Sequence, residues 1–441
     1  MVPLLAAVGV QSIGFLPAFL GLVLYSMLPI LRNTVTGLAG VDPAYREAAR
    51  GVGMTPAQEL LRVELPLALP VVIAGIRTAT VWTVGIATLS TPVGATSLGN
   101  YIFSGLQTRN ANAVLVGCVA AAALALALDG LVRLLAAGWE RRSRGMLGIS
   151  AGAFAVLYLF TGVTLGSDLL QSGRGRVVVG AKTFTEQYIL AEILAGRIAR
   201  STSLSVEVAP SLGSTVAFDA LRAGDIDVYV DYSGTIWATV MRREGRAPDR
   251  ATLLSAVERD LAERHGITLV GALGFENTYA LAMRRIEAER LGIRRISDLT
   301  KHARALSFGA DYEFFGRAEW KALQETYGLS FAEDRGMDSS LMYQAAGQGA
   351  VDVVCAFSTD GRIAAFDLVL LEDDRHAIPP YDAIVLASAR MTRERPEAVE
   401  ALAALTGTID GAAMRQMNRE VDEESKSPGA VAAAFLESRA R

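Results

Sequence analysis

The chain has 441 residues, room for two to four domains at about 100–200 residues each. It is 51% hydrophobic and 20% charged, with a mean hydropathy of +0.32, too apolar for a typical soluble protein and too charged for one lying wholly in a membrane. That apolarity excludes disorder, two cysteines exclude a disulfide scaffold, and a net charge of −4 with a pI of about 5.7 argues against a nucleic-acid partner.

The average conceals two unlike parts. Residues 1–171 hold ten Arg, no Lys and seven Asp plus Glu, a net of +3. The remaining 32 basic and 39 acidic residues fall in 172–441, a net of −7. Along the first part, Val2 to Leu31 carries no charge, and Ser12–Pro17 within it reads as a break between the end of one helix and a second that spans. Leu65–Leu89 is the next apolar run and contains only Arg77. Ala111–Leu128, extending to about Leu135, is a third, and Met146–Gly166, without charge, is a fourth. A bilayer core needs about 20 apolar residues per helix. Four such runs predict a membrane bundle rather than buried helices of a soluble core.

Basic residues set the expected orientation. Arg32, Arg46, Arg50 and Arg62 lie in 32–64, Arg109 alone in 90–110, and Arg141, Arg142 and Arg144 after the third run. Segments 32–64 and 136–145 are therefore expected in the cytoplasm, and everything after about 167 outside. The internal position of Met146–Gly166 favours an uncleaved anchor over a signal peptide.

The cytoplasmic segment contains EAARGVGMTPAQELLRVELP: Glu47-Ala48-Ala49, Gly53 after three residues, then Val63-Glu64-Leu65-Pro66. Glu47–Arg50 reads as an amphipathic turn, Gly53 as a sharp bend and Thr55-Pro56 as the start of the next helix. This pattern resembles the EAA loop of ABC importer permeases, with Val63 where that family often has Ile. The flanking text, LPILRNTVTGLAGVDPAYREAARGVGM, resembles permeases for quaternary-amine osmoprotectants. The resemblance implies that Glu47, Ala48, Ala49, Gly53, Leu65 and Pro66 belong to a coupling loop that docks on cytoplasmic ABC ATPase subunits. It also implies a permease homodimer, or pairing with a close homologue, within membrane lipid. Such permeases carry further helices ahead of this loop, so the permease domain, 1–145, reads as N-terminally short. Residues 146–175 are assigned as anchor and linker, the linker being Ser167–Arg176.

From 176 onward the pattern changes. Val177–Gly180 reads as a buried strand, Phe184–Arg200 as a helix, Ser205–Ala209 as a strand, Thr215–Ala223 as a helix and Asp225–Asp231 as a strand. Further strands are expected at Thr268–Val270, Tyr279–Met283, Leu306–Gly309, Val351–Cys355 and Ile384–Ala387. Alternating strands and helices over about 265 residues predict two α/β lobes. No phosphate-binding G-x-x-x-x-G-K-[ST] loop and no G-x-S-x-G elbow occurs, so no enzyme activity is expected and ATP hydrolysis falls to a partner. His265, His302 and His376 sit far apart in polar contexts, no metal-ligand spacing appears, and no cofactor is implied.

Aromatic residues instead recur at strand ends beside small polar groups: AKTFTEQYILAEIL (181–194), DYSGT (231–235), FENTYALAM (275–283), EFFGRAEW (313–320), AFSTDGRI (356–363) and IPPYDAI (378–384). In order and spacing these resemble the extracellular binding proteins for glycine betaine, choline and related compounds. A quaternary ammonium donates no hydrogen bond, so aromatic faces hold it, each worth about 0.5–2 kcal/mol. A betaine carboxylate needs Lys, Arg or directed donors. The resemblance puts the aromatic box on Tyr232, Tyr279, Phe357 and Tyr381, with Phe357 where the family usually has tyrosine. It puts the polar end on Lys182, Gln187, Thr235 and Arg317, with Asn277 lining the cleft. Trp237, Trp320 and Tyr343 read as packing residues. The implied fold is an all-α transmembrane permease fused to an α/β two-lobed binding protein of type II, 176–441. Lobe one is 176–275 and 383–441, and lobe two is 276–382. The expected function is the permease plus receptor of an importer for a small quaternary amine, in the inner membrane with the receptor outside. An amino-acid importer and a tethered sensor are the alternatives. An amino-acid ammonium would call for an acidic partner, and a sensor would not need an ATPase-docking loop.

Overall fold

The computed structural model describes residues 13–108, 110–171, 176–243, 248–339 and 341–439. The apolar start at 2–12, Arg109 and the linker residues 172–175 lie outside the described residues. The chain divides into two compact units, Met1–Ile102 with Asn112–Gly175, and Phe103–Ala111 with Arg176–Arg441.

The first unit is helical. Helix α1 (Phe15–Ala39) contains Pro29, whose carbonyl accepts from Asn33 Nδ2 at 2.8 Å. Helix α2 (Pro43–Gly51) is capped by the Asp42 carboxylate, which accepts from Ala44 N at 2.9 Å. Gly53 then turns the chain at φ 79°, a left-handed conformation that costs a β-carbon residue about 1–2 kcal/mol. Thr55 and Gln58 form a capping box over Pro56–Glu59, and Pro56 sits at the first helical position, where its missing N–H costs nothing. The helix passes through a π turn, Leu60–Glu64, into α3 (Leu65–Thr88). Pro66, just beyond, has no N–H to return to the Arg62 carbonyl, which accounts for the irregular turn there. Helices α4 (Ala111–Glu140) and α5 (Arg144–Gln171) follow. Four stretches are long and apolar enough to cross a membrane: Phe15–Ala39, Pro56–Thr88, Ala111–Glu140 and Arg144–Thr164. With its helices of that kind, the protein is a membrane protein.

Small residues make the contacts between α1 and α3. Gly37, Ala68, Gly75 and Ala79 are buried, and a β-carbon on Gly75 would lie 2.6 Å from Asn33 Cβ. Leu24, Leu28, Leu126 and Phe160 face outward. The lone charge of the second apolar run, Arg77, pairs with Asp129 of α4 at 2.8 Å, and Asp129 also takes Arg133 at 2.7 Å. Helix α5 runs five residues past Gly166, where the sequence reading began the linker. Ser167–Gln171 contains no proline or glycine to stop it.

The second unit is built on two five-stranded sheets. The first contains β1 (Arg176–Lys182), β2 (Ser205–Leu212), β3 (Val228–Tyr232), β4 (Thr268–Glu276) and β10 (Asp382–Ala387), in the order β2-β1-β3-β10-β4. The second contains β5 (Tyr279–Arg284), β6 (Ser307–Asp311), β7 (Glu333–Met337), β8 (Val353–Phe357) and β9 (Leu368–Leu371), in the order β7-β6-β8-β5-β9. In each sheet four strands run in one direction and a single strand, β10 in the first and β5 in the second, runs against them. Helix α6 (Thr185–Ser201) buries almost its whole first two turns against the first sheet. Helices α7 (Arg250–Asp260), α8 (Ala318–Tyr327) and α9 (Gly411–Asp422) supply side chains to the site or its frame. The second lobe's core is aromatic: Phe308 stacks on Trp320 and on Phe331, both at 4.9 Å.

The chain leaves the first sheet after Glu276 and returns at Asp382, and these two residues are partners across β4 and β10. Asn277 N donates to Tyr381 O at 3.0 Å just beyond. Like charges directly opposite in a sheet repel. Here Arg250 of α7 pairs with Asp382 and lies 3.3 Å from Glu276, so one guanidinium serves both crossings.

Candidate ligand-binding site

Strand register assembles the aromatic cluster. Tyr279 opens β5 and Phe357 closes β8, and the two are direct cross-strand partners. Their ring centroids lie 5.2 Å apart. Tyr381, one residue ahead of β10, meets Tyr279 edge-on at 5.6 Å. Gly234 makes the seat for Tyr381, because a β-carbon there would lie 2.5 Å from the ring. Two phenylalanines complete the cluster: Phe314 at 5.1 Å from Tyr279, and Phe184 at 5.4 Å from Phe357. Neither stood among the expected site residues. Both lie inside segments singled out for aromatic content, which was the signal available.

Tyr232 closes β3 and has no ring contact with the other three among the described residues; it joins them through a buried polar network. At its centre is Glu186, in the first turn of α6 and 4% exposed. Its carboxylate accepts from the hydroxyls of Tyr232 and Thr359, from Asn277 Nδ2 at 3.0 Å and from Asn418 Nδ2 of α9 at 3.2 Å. Burial pushes the Glu186 carboxyl above its ordinary value, and the four donors pull it back only in part. Gln187 Nε2 donates to the Tyr232 hydroxyl at 3.1 Å, and Thr235 is buried on the turn after β3.

The two expected cations are both engaged. Lys182 Nζ lies 2.5 Å from Asp231 Oδ1, with both side chains buried. Tyr229 donates to the other Asp231 oxygen at 2.5 Å. Arg317 pairs with Glu319 at 3.2 Å, lies over the Tyr279 ring at 5.1 Å from its centroid, and reaches Thr239 Oγ1 at 3.4 Å. Burial disfavours the Arg317 charge, and the oxygens of Tyr279, Tyr381 and Glu319 more than offset it. Tyr381 donates its hydroxyl to Glu319. Burial also holds the phenols of Tyr232, Tyr279 and Tyr381 well above their ordinary value, so they stay protonated and their faces remain neutral and electron-rich. Sequence reading missed Glu186, Glu319 and Thr359, whose roles depend on contacts far apart in the chain. Trp320 and Tyr343 pack in the second lobe's core, and Tyr343 accepts from Phe357 N at 2.9 Å.

In the other unit, the predicted coupling loop is braced from beneath. Arg46 pairs with Glu64 at 2.6 Å, and Arg50 makes a two-pronged contact with Glu59 at 3.0 and 3.1 Å. Ala49 is buried against this frame, while Glu47, Ala48 and Gly53 face outward beside exposed Tyr45 and Val52. Leu65 and Pro66 begin α3.

Comparison with known proteins agrees with this architecture. Residues 175–438 match the family described as the substrate binding domain of ABC-type glycine betaine transport systems. Residues 1–141 match the binding-protein-dependent transport system inner membrane component. The ergothioneine transport permease/ergothioneine binding protein EgtU of Helicobacter pylori (strain G27) is 31% identical over 447 residues, covering 97% of this chain and 79% of that protein. The carnitine transport binding protein OpuCC of Listeria monocytogenes is 33% identical over 293 residues, 64% of this chain and 94% of the relative. The crystal structure of a glycine betaine/carnitine/choline ABC transporter superposes with a TM-score of 0.53 at 31% identity, over 60% of this chain and 98% of that one. A helical permease region ahead of a two-sheet receptor, matched on both counts, places the chain in the family of ABC importers of the glycine betaine type, as a permease fused to its substrate-binding domain.

Proposed function

We propose that the receptor binds a small quaternary amine, a trimethylammonium compound such as a betaine, carnitine or choline, and delivers it to the permease of the same chain. The observation that carries this is the aromatic cluster of Tyr279, Phe357 and Tyr381, gathered at 5.2–5.6 Å where the two lobes join. Neutral rings suit a cation that donates no hydrogen bond. Tyr232, Gln187, Thr235 and Asn277 serve the adjoining polar end. Arg317 is the better placed cation for a carboxylate, since it lies over Tyr279, whereas Lys182 is held by Asp231. Lys182 then acts by fixing β1 to β3.

The division of labour follows. Residues 1–145 act as permease, 146–175 as anchor and linker, and 176–441 as receptor, with lobe one 176–275 and 383–441 and lobe two 276–382. The basic residues of 32–64 and 136–145 favour the cytoplasm, which leaves the receptor on the outer face. Glu47, Ala48 and Gly53 form the surface for a separate ATPase subunit, with Ala49 buried beneath them, and two permease copies, or one and a close homologue, form the pathway within lipid. Ligand bridging both lobes favours their closure.

Titration of the receptor with glycine betaine, choline, carnitine, ergothioneine and common amino acids tests the ligand class. Trimethylammonium compounds are expected to bind. Binding of amino acids alone would sink the assignment. Tyr279→Ala and Tyr381→Ala are each expected to weaken binding tenfold or more, about 1.4 kcal/mol.

A further inference from the structure

The receptor contains several buried carboxylates, and the chain supplies most of them with a cation. Asp227 has Arg390 at 2.8 Å, Asp231 has Lys182 at 2.5 Å, Glu319 has Arg317 at 3.2 Å, and Asp382 has Arg250. Glu186 differs. It is as buried as they are, and among the described residues no Lys, Arg or His pairs with it. Its four partners are neutral donors, two on each oxygen: Tyr232 and Asn277 on Oε1, Thr359 and Asn418 on Oε2. That is the hydrogen-bond pattern of an ionised carboxylate. Burial favours the protonated acid, but that form would have to turn the Tyr232 or Thr359 hydroxyl round to accept its proton, so the four donors oppose the effect of burial.

An ionised carboxylate out of water without a cation is costly, and a cation brought beside it offsets part of that cost. The position of Glu186 says where such a cation would sit. One partner, Tyr232, is itself a candidate box residue. Asn277 stands two residues before Tyr279, and Thr359 two residues after Phe357. Phe184, two residues before Glu186, packs on Phe357. The charge is thus tied by hydrogen bonds to three of the chain segments that carry the candidate box. A phenol that donates to an anion also becomes a more electron-rich ring, so Tyr232 passes part of the charge to its face.

Resting on the quaternary-amine reading of this site, we propose that Glu186 is the counter-charge for the ligand's ammonium head, and that it sets the receptor's selectivity for charged over neutral ligands of the same shape. The aromatic rings alone would discriminate weakly, because they also welcome an apolar tert-butyl group. A fixed anion in low dielectric separates the two.

The test uses the full chain in detergent and two isosteric pairs: choline against 3,3-dimethyl-1-butanol, and glycine betaine against 3,3-dimethylbutanoate. Each pair differs by N⁺ for C. Calorimetry gives the affinity ratio within each pair, and a ratio is insensitive to the fraction of protein that is folded. Wild type is expected to prefer the ammonium member of at least one pair by a hundredfold or more. Glu186→Gln keeps the size and an acceptor oxygen, and the hydroxyls of Tyr232 and Thr359 can turn to meet its amide. It is expected to cut that preference at least tenfold while the neutral isostere binds as before. Glu186→Asp keeps the charge and should keep most of the preference, even if both ligands weaken. An unchanged ratio in Glu186→Gln, or a collapsed ratio in Glu186→Asp, would overturn the proposal. So would a wild type that binds the neutral isostere as well as the cation. A wild type that binds no quaternary amine overturns the ligand assignment and this inference together.

Discussion

In the membrane unit the residues turned inward are small and those turned outward are large. In the receptor the order is reversed. Helix α3 buries Ala68, Gly75, Ala79 and Val84, while Leu28 of α1 is 70% exposed. Among the described residues the largest fully buried side chains, Tyr229, Tyr343, Tyr381, Phe308 and Phe314 among them, all belong to the receptor. The difference follows from the solvent. In water, burying a large apolar side chain is itself the driving force. Lipid tails are as apolar as leucine, so helices gain by close approach, which small residues permit. Charges follow the same division. The receptor spends many arginines pairing buried carboxylates; among the described residues of the membrane unit, Arg77 and Arg133 meet Asp129 on α3 and α4, and the other pairs, Arg46–Glu64 and Arg50–Glu59, brace the predicted coupling loop.

Four substitutions probe that contrast. The largest effect is expected in the receptor core. Phe308→Ala removes a ring stacked on both Trp320 and Phe331 and should cost about 3–5 kcal/mol in denaturant unfolding. Leu28→Ala, on the outward face of α1, should leave the unfolding of the protein in lipid unchanged. Comparable losses at the two positions would break the contrast. Next comes Gly75→Val, which forces a side chain against Asn33 and the Pro29 carbonyl. Overpacking of this kind costs about 1–3 kcal/mol, so a lower thermal midpoint in detergent is expected, with receptor affinity untouched. A midpoint equal to wild type would show that α1 and α3 do not depend on close approach. The smallest is Gly53→Ala. No atom lies within 4 Å of the added carbon, so only the left-handed backbone is strained, by about 1–2 kcal/mol. Ligand binding should be normal and ligand-stimulated ATP turnover by the partner subunit reduced. Full stimulation would dissociate the bend from coupling.

The sequence was most legible where one physical constraint dominates locally. The apolar runs, the Thr55-Pro56 helix start and the strands β1, β3, β5 and β10 follow from composition and period over a few residues. Strand β7, EDRGM, was not anticipated, because an exposed edge strand needs no apolar face. Strand β9 escaped because four residues carry too little pattern. Strand β4 runs to Glu276, six residues past its expected end, on pairing with β10 rather than on its own composition. In the site, aromatics at strand ends could be read directly. The state of the charged groups could not. Lys182 looks available in sequence, and only the parallel pairing of β1 with β3 reveals Asp231 beside it. Glu186 sits in an unremarkable helical turn, and its meaning comes from Tyr232, Asn277, Thr359 and Asn418, four segments that only the tertiary fold unites.

The single arginine at the crossings has a mechanical consequence. With Glu276 and Asp382 in register and both held by Arg250, the crossing strands are stiff up to that point. If the two sheets swing as lobes about these crossings, the rotation would be taken up just beyond, at 277–278 and 379–380. That puts the fulcrum next to Tyr279 and Tyr381. Close to a fulcrum a lever moves little and bears the greatest load. The aromatic cluster would therefore shift by a small distance when the lobes swing, while the far edge at β7 sweeps the widest arc. Distances between paired spin labels, one pair beside Tyr279 and one spanning to β7, should change least for the first and most for the second on ligand addition. Equal changes would place the pivot elsewhere.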